Sequence, residues 1–314
     1  MQEQVAIGID IGGTNTVIGL ITAGGKCLAE ECIKTEEYPL MEDFIERIHA
    51  IGRERSAALN LSLAGVGIGV PTGNSDNGTF NASNLPWRGV IPVAALFRER
   101  FNLPVFVVND AKAAVLGEMS YGGARGMKDF VIITLGTGLG CGIVINGELV
   151  HGHDGFAGEL GHTIVTPGGR ACGCGRRGCL ETYASATGIK RTAIELLATE
   201  IDDSPLRKIP FADIGSKMIA EAAGQGDPIA IKTLRYTGEV LGLALANLVA
   251  IIRPEAIFLQ GGAARAGAHF HDAVNRAMDE NLLFLYKGKI STRCSAFSNG
   301  ATVGAAALVW RALK

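Results

Sequence analysis

The sequence carries almost no excess charge of either sign. Among 314 residues, 29 Lys and Arg stand against 31 Asp and Glu, a formal net charge of −2. A broad nucleic-acid surface needs a basic excess, so that class of partner is not expected. Long hydrophobic runs are missing too, because Gly and polar residues break each candidate short of the roughly 20 residues of a membrane span. No basic and then apolar leader precedes the strand-like run from Val5 to Ile11, so no signal peptide is read and the cytoplasm is the expected compartment. Also absent is the Gly-x4-Gly-Lys-Ser/Thr pattern of a P-loop enzyme. The seven cysteines are not an even set for a disulfide framework. Cys27, Cys32, Cys141 and Cys294 are scattered through apolar or strand-like stretches and read as buried or half-buried free thiols. Cys172, Cys174 and Cys179 crowd into eight residues, which in a reducing compartment favours metal over disulfides.

What is present is a chain rich in apolar residues (47%) and in glycine (43 residues), with 19% charged residues. That composition suits a globular protein with many tight turns or close backbone approaches. Single cores stop growing near ~250–300 residues, so two lobes are expected. Val5 to Thr14 reads as a strand running into a glycine turn, Thr16 to Thr22 as the returning strand, and Leu28 to Lys34 as a third. Met41, Phe44, Ile45, Ile48 and Ile51 then share a helical face. A strand at Gly65 to Val70, a helix at Val93 to Phe101, a strand at Val105 to Val108 and a helix from Ala111 to about Met119 follow. After Gly122 to Gly126 the pattern restarts: a strand at Phe130 to Leu135, a glycine turn, a returning strand at Cys141 to Ile145, and Asn146-Gly147 as a hairpin turn. Helices are expected near Gly188 to Thr199, Ala212 to Ala223, Pro228 to Ile252, His269 to Asn281 and Ala301 to Leu313, with a short strand at Ala256 to Gln260. Two hairpin openings of one design suggest a duplicated α/β lobe, which leaves a cleft between its halves.

Asp10-Ile-Gly12-Gly13-Thr14-Asn15 and Leu135-Gly136-Thr137-Gly138-Leu-Gly140 each end a buried strand in a turn whose backbone N–H groups and threonine hydroxyl can cradle an anion. Asp10 suits a phosphate only if it orients Mg²⁺ or that ion's waters. Either turn alone is better explained as a plain hairpin; at equivalent points of two repeats they point to a nucleotide. Gly261-Gly262 is a third candidate for the nucleotide and equally a strand terminator.

Glu159-Leu-Gly-His162 and Cys172-Gly-Cys174-Gly-Arg-Arg-Gly-Cys179-Leu-Glu181 offer one histidine and three thiolates, a closed Cys₃His set for one structural zinc per chain. If one His162 nitrogen binds metal, the other is a fixed donor. With Glu159 and Glu181 as acceptors, that set suits a polyol. A glycosidase carboxylate pair is the rival, but phosphate turns have no role in glycoside hydrolysis. Asn109-Asp110 follows a strand and precedes a helix, where open α/β sheets place ligands. Asp110 can serve as a catalytic base or merely cap the helix. In Asn84-Leu-Pro-Trp87, Asn84 can bond hydroxyls, and Trp87 is either a flat wall for sugar or a core aromatic.

In order along nearly the whole chain, these motifs resemble the bacterial ROK family of repressors, uncharacterised frames and sugar kinases, its glucokinases above all. The resemblance implies an α/β actin-like ATPase (ribonuclease H-like) fold of two lobes, with the active site in the cleft between them. Residues 1–122 would form a small lobe completed by the C-terminal helix 301–314, and residues 123–300 a large lobe with the zinc loop and the dimer surface. It implies Asp110 as base, and Asn84, Asn109, Glu159, His162 and Glu181 as sugar contacts. His162, Cys172, Cys174 and Cys179 match the zinc ligands, and the glycine turns the nucleotide contacts. ATP with Mg²⁺, a hexose, and a homodimer or dimer of dimers complete the expectation, with no nucleic acid and no membrane. Glucose is the expected sugar; N-acetylglucosamine, N-acetylmannosamine and fructose are the alternatives. A sugar-responsive regulator of the same family is disfavoured, because the first phosphate turn at Asp10 leaves no room for a DNA-binding segment before it.

Overall fold

Apolar runs that end in glycine set the architecture. The computed structural model describes residues 2–313 apart from Ser83, Asn84, Asp154, Ser298 and Asn299. It has two compact units, one of Met1–Met127, Leu149–Ala157 and Asn299–Lys314, the other of Lys128–Glu148 and Gly158–Ser298.

The first unit begins with β1 (Gln4–Ile11), β2 (Asn15–Thr22), β3 (Cys27–Lys34), α1 (Met41–Ala58) and β4 (Ser62–Val70). The two-residue strands β5 (Phe80–Asn81) and β6 (Val90–Ile91) precede α2 (Val93–Phe101), β7 (Val105–Asn109) and α3 (Asp110–Tyr121). The sheet order is β3-β2-β1-β4-β7, antiparallel where β1 meets β2 and parallel from β1 to β4 to β7. Successive strand residues point to opposite faces, and the two faces are filled differently. On one, Ile7, Ile9, Ile68 and Val107 pack with Phe44, Ile45 and Ile48 of α1 and Phe97 of α2. On the other, Gly8 and Gly67 leave no side chain, and the C-terminal helix (Gly300–Ala312) takes the space, its Thr302 and Ala305 carbonyls standing where Cβ atoms would be. Trp87 belongs to this core: it is 6% exposed, its ring centroid lies 4.7 Å from that of Phe44, and its Nε1–H donates to the Tyr38 carbonyl at 3.2 Å. It is not a wall for sugar.

The second unit repeats the plan. It has β8 (Phe130–Leu135), β9 (Leu139–Ile145), β10 (Glu148–Leu149), α4 (Glu181–Ala184), α5 (Ala186–Thr199), α6 (Ser216–Gly224), α7 (Pro228–Ile252), β11 (Ala256–Gln260), α8 (Ala268–Asn281) and β12 (Thr292–Cys294). The sheet order is β10-β9-β8-β11-β12, again antiparallel in its opening hairpin and parallel from β8 to β11 to β12. Val131, Ile133, Ile257 and Leu259 pack with Leu241 and Leu245 of α7 and with Phe270 and Val274 of α8. Asp227 caps α7, accepting from the Ile229 and Ala230 N–H groups. Contrary to the expectation that no run would be long and apolar enough to cross a membrane, α7 is so by length and composition; half of that stretch is buried, and its buried residues serve the core. The helix expected from Ala212 begins at Ser216, after Gly215 in extended conformation.

The scattered cysteines need correction. Cys27, Cys32 and Cys294 are exposed and only Cys141 of those four is buried. β3 and β12 are edge strands, a tertiary fact that local apolarity does not report.

Candidate active site

In the first unit the carboxylates arrive on the sheet itself. Asp10 pairs in register with Gly69, and Gly69 with Val108, so the ends of β1, β4 and β7 lie side by side. α3 starts at Asp110, and the residue that caps it is Asn109, whose Oδ1 accepts from the Ala111 N–H at 3.0 Å and the Lys112 N–H at 3.2 Å. The capping role weighed for Asp110 therefore falls to its neighbour. Asp110 Oδ1 accepts from the Ala111 N–H at 2.8 Å, in the first turn, where the helix dipole favours negative charge. Burial, and then the negative charge of Asp110, push the Asp10 carboxyl up to about 7 from 3.8. Two carboxylates held close enough to repel suit a hard divalent cation, which prefers oxygen ligands.

The Gly12–Asn15 turn is fastened by a residue that sequence reasoning missed. Thr35 donates its hydroxyl to the Gly12 carbonyl at 2.7 Å and its N–H to the Thr14 carbonyl at 2.9 Å. Gly13, Thr14 and Asn15 remain exposed. Lys112 was missed as well; it is 5% exposed and donates to the Gly155 carbonyl at 2.5 Å. No local signal marks either residue, because each partner lies more than twenty positions away. Asn84 lies outside the described residues.

In the second unit the hairpin turn is tied from behind by α5. The Ala186 N–H donates to the Gly136 carbonyl at 2.9 Å, and the Thr187 hydroxyl to the Thr137 carbonyl at 2.9 Å. In trans peptides the N–H opposes the C=O, so the Thr137 and Gly138 N–H groups point away from α5. Gly261, at φ +101°, packs where a Cβ would come within 2.6 Å of the Leu135 carbonyl. The late Gly261-Gly262 turn thus stands beside the Gly136–Gly138 turn, at the ends of the paired strands β8 and β11.

The cysteine loop folds back on itself. The Cys172 N–H donates to the Arg176 carbonyl, the Gly175 N–H to that of Cys172, and the Gly178 N–H to that of Arg170. The donor atoms of His162, Cys172, Cys174 and Cys179 all lie within 4.8 Å of one another. Cys174 and Cys179 sulfurs are 3.6 Å apart, and Cys172 Sγ is 3.7 Å from His162 Nδ1. A zinc–sulfur bond of about 2.3 Å gives tetrahedral edges of about 3.8 Å, so the donor set fits that ion. The Arg176 N–H holds the Cys174 thiol down to about 6, while burial pushes Cys172 up to about 12. The protein by itself favours one thiolate, and a dication supplies what three require.

His162 presents Nδ1 to the cluster and Nε2 to Glu159, whose Oε2 is 3.9 Å away. Glu181 is shared: Oε2 accepts from the Leu139 N–H at 3.0 Å, and Oε1 lies 3.8 Å from Cys172 Sγ.

A family model described as the ROK family matches residues 6–312. A glucokinase of Halalkalibacterium halodurans is 37% identical over 85% of this chain and 83% of its own length. A crystal structure of a ROK family glucokinase from Streptomyces griseus, in complex with glucose and AMPPNP, has a TM-score of 0.85 at 33% identity, over 97% of this chain and 98% of that one. A xylose repressor of Caldicellulosiruptor bescii is 31% identical over 87% of this chain and 70% of the repressor. The repeated sheets and these likenesses give the actin-like ATPase fold, and with the family model spanning nearly every residue, the chain belongs to the ROK family.

Proposed function

We propose that this chain is an ATP-dependent hexokinase-type phosphotransferase that moves the γ-phosphoryl group of ATP to the primary 6-hydroxyl of a hexose, with glucose as the first substrate. The observation that carries the reading is the acidic pair of the first unit, Asp110 at the start of α3 beside Asp10 at the end of β1. Relatives named glucokinases supply the sugar.

Asp110 accepts the proton of the 6-hydroxyl as that oxygen attacks phosphorus. The Asn109 carbonyl is committed to the helix cap, so its amide N–H₂ is what can reach a sugar oxygen. Glu159 and Glu181 accept from ring hydroxyls, and His162 Nε2–H donates to one. Asn84 joins the sugar contacts. The turns at Gly12–Asn15 and Gly136–Gly138 hold phosphate oxygens with backbone N–H groups, and Gly261-Gly262 lies against the nucleoside. Asp10 would orient Mg²⁺ bound with ATP, or that ion's waters, and the ion would supply positive charge to the phosphate oxygens. His162, Cys172, Cys174 and Cys179 would hold one structural zinc, which would fix the imidazole tautomer. Three thiolates at such a site need a reducing compartment, which supports the cytoplasm as the place of work. The family resemblance supports a homodimer or a dimer of dimers.

A coupled ADP-release assay over a panel of hexoses and N-acetylhexosamines tests the reading. Glucose is expected to show the highest kcat/KM. No ADP release with any sugar overturns the kinase reading, and a preference for N-acetylmannosamine or fructose moves the substrate within it.

A further inference from the structure

The cysteine loop is gripped at its start by an arginine that the scheme above does not use. The Arg170 side chain is 8% exposed. Its Nε donates to Glu195 Oε1 at 3.0 Å, Nη1 to the carbonyls of Thr182 at 2.8 Å and Gly188 at 3.3 Å, and Nη2 to Thr192 Oγ1 at 2.9 Å and Glu195 Oε2 at 2.5 Å. All five guanidinium N–H donors are therefore used, which suits a planar fork and exceeds what a lysine can satisfy. The guanidinium also lies 4.5 Å from the centre of the Tyr183 ring, and the Arg170 backbone N–H donates to the Tyr183 hydroxyl at 3.1 Å.

Thr182 and Tyr183 directly follow Glu181 on α4, a helix of four residues. So short a helix has too few internal bonds to hold its own direction. Its orientation comes from the burial of Leu180 and Ala184 in the core and from what grips it on either side, the Cys₃His set that ends at Cys179 and the Arg170 guanidinium. Glu181 in turn holds the Leu139 N–H of the glycine turn, packed so closely that a Cβ on Gly138 would fall 2.5 Å from Oε2.

We infer that Arg170 is a positioning residue for Glu181. By fixing α4 it keeps one carboxylate in contact with both the hexose and the phosphate turn, and it does so alongside the metal. This rests on the reading of Glu181 as a sugar contact. A hexose that engages Glu181 then steadies the turn that receives the nucleotide, and by reciprocity the nucleotide tightens the hexose by the same factor.

The test is Arg170→Lys in the full-length, metal-loaded enzyme, with Tyr183→Phe as a gentler variant that removes one acceptor. Arg170→Lys is expected to keep one zinc per chain and to raise the KM of glucose and of ATP together, about tenfold each. It is expected to change kcat less than threefold, and calorimetry should no longer find glucose binding tightened by AMPPNP. Tyr183→Phe should move the same quantities two- to threefold. General destabilisation would lower the active fraction, and with it kcat, at unchanged KM. Wild-type KM values and wild-type mutual tightening in Arg170→Lys overturn the inference; if that variant does not fold, the same result in Tyr183→Phe does so. A wild-type enzyme that releases no ADP with any hexose refutes the kinase reading instead.

Discussion

The two glycine–threonine turns occupy the same place in two sheets of the same strand order, yet their surroundings divide the chemistry. At the first turn the acids come from the sheet: Asp10 on β1 and Asp110 directly after β7. At the second turn the matching strand positions hold Thr134 and Ser295, and the acids come from the inserted segment, Glu159 and Glu181. The first turn is fastened by Thr35, whereas the second is tied from behind by Ala186 and Thr187 and also holds a carboxylate, Glu181, beside a Cys₃His set that can bind a metal ion. A repeated backbone therefore supplies a glycine–threonine turn twice. In the proposed reading, proton and metal-ion chemistry would sit on strand ends in one copy, and substrate recognition on the segment from Glu159 to Glu181 in the other.

If that division is right, the largest loss follows a change at a strand end. Asp110→Asn keeps size and polarity but cannot accept the proton, and a positioned base contributes about 10²–10⁴-fold. We expect kcat to fall at least ~10³-fold while calorimetric glucose affinity stays within about threefold. Near-normal turnover would remove the base assignment.

Asp10→Asn should separate function from stability. The Asp10 carboxyl titrates at about 7 in the fold against 3.8 ordinarily. Between those values the folded state holds a proton that the unfolded state has lost, so stability falls as pH rises through that window. The asparagine has no proton to lose. At pH 8 its melting temperature should exceed that of the wild type, and its melting temperature should vary less between pH 5 and 8. Turnover should fall about 10²-fold, within the range for a positioned charged group. A wild-type melting temperature that rises over that range would contradict the environment assigned to Asp10.

On the second unit the effect should be smaller and appear in binding. Cys179→Ser removes one ligand of the cluster, and metal analysis should fall from one zinc per chain towards none. Losing support for His162 and Glu181 should raise the glucose KM about 10–100-fold, the usual cost of disturbing a metal's supporting shell. Wild-type protein purified without chelator that contains no metal would remove this buttress.

How much of this was legible depended on how far each feature reaches along the chain. β8, β11 and α7 follow from local pattern, since apolar period and a flanking Gly, Asp or Pro are contained in each segment. The Cys₃His set is similarly local: three of its ligands fall within eight residues. Thr35, Lys112 and Arg170 were invisible because the partners that give them a role come from other elements. Trp87 had two readings until Phe44 and Tyr38 were found against it. Cys27 and Cys32 were misjudged because an edge strand and a central strand can share a composition, while only neighbours decide burial.

The finest test lies within one turn. Gly136 and Gly138 read alike in sequence, but a Cβ on Gly136 meets nothing within 4 Å, and one on Gly138 meets Glu181 Oε2 at 2.5 Å. Gly138→Ala must therefore displace the carboxylate or break its bond to the Leu139 N–H, and either change disturbs phosphate turn and sugar contact together. The KM of glucose and of ATP should rise in parallel, about tenfold, the scale of losing one hydrogen bond to a charged group. Gly136→Ala should leave glucose KM within about twofold and stability within ~0.5 kcal/mol, as for a surface change away from any special contact. If Gly138→Ala shifts the KM of ATP alone, Glu181 serves the turn and not the sugar, and recognition on the insert reduces to Glu159 and His162.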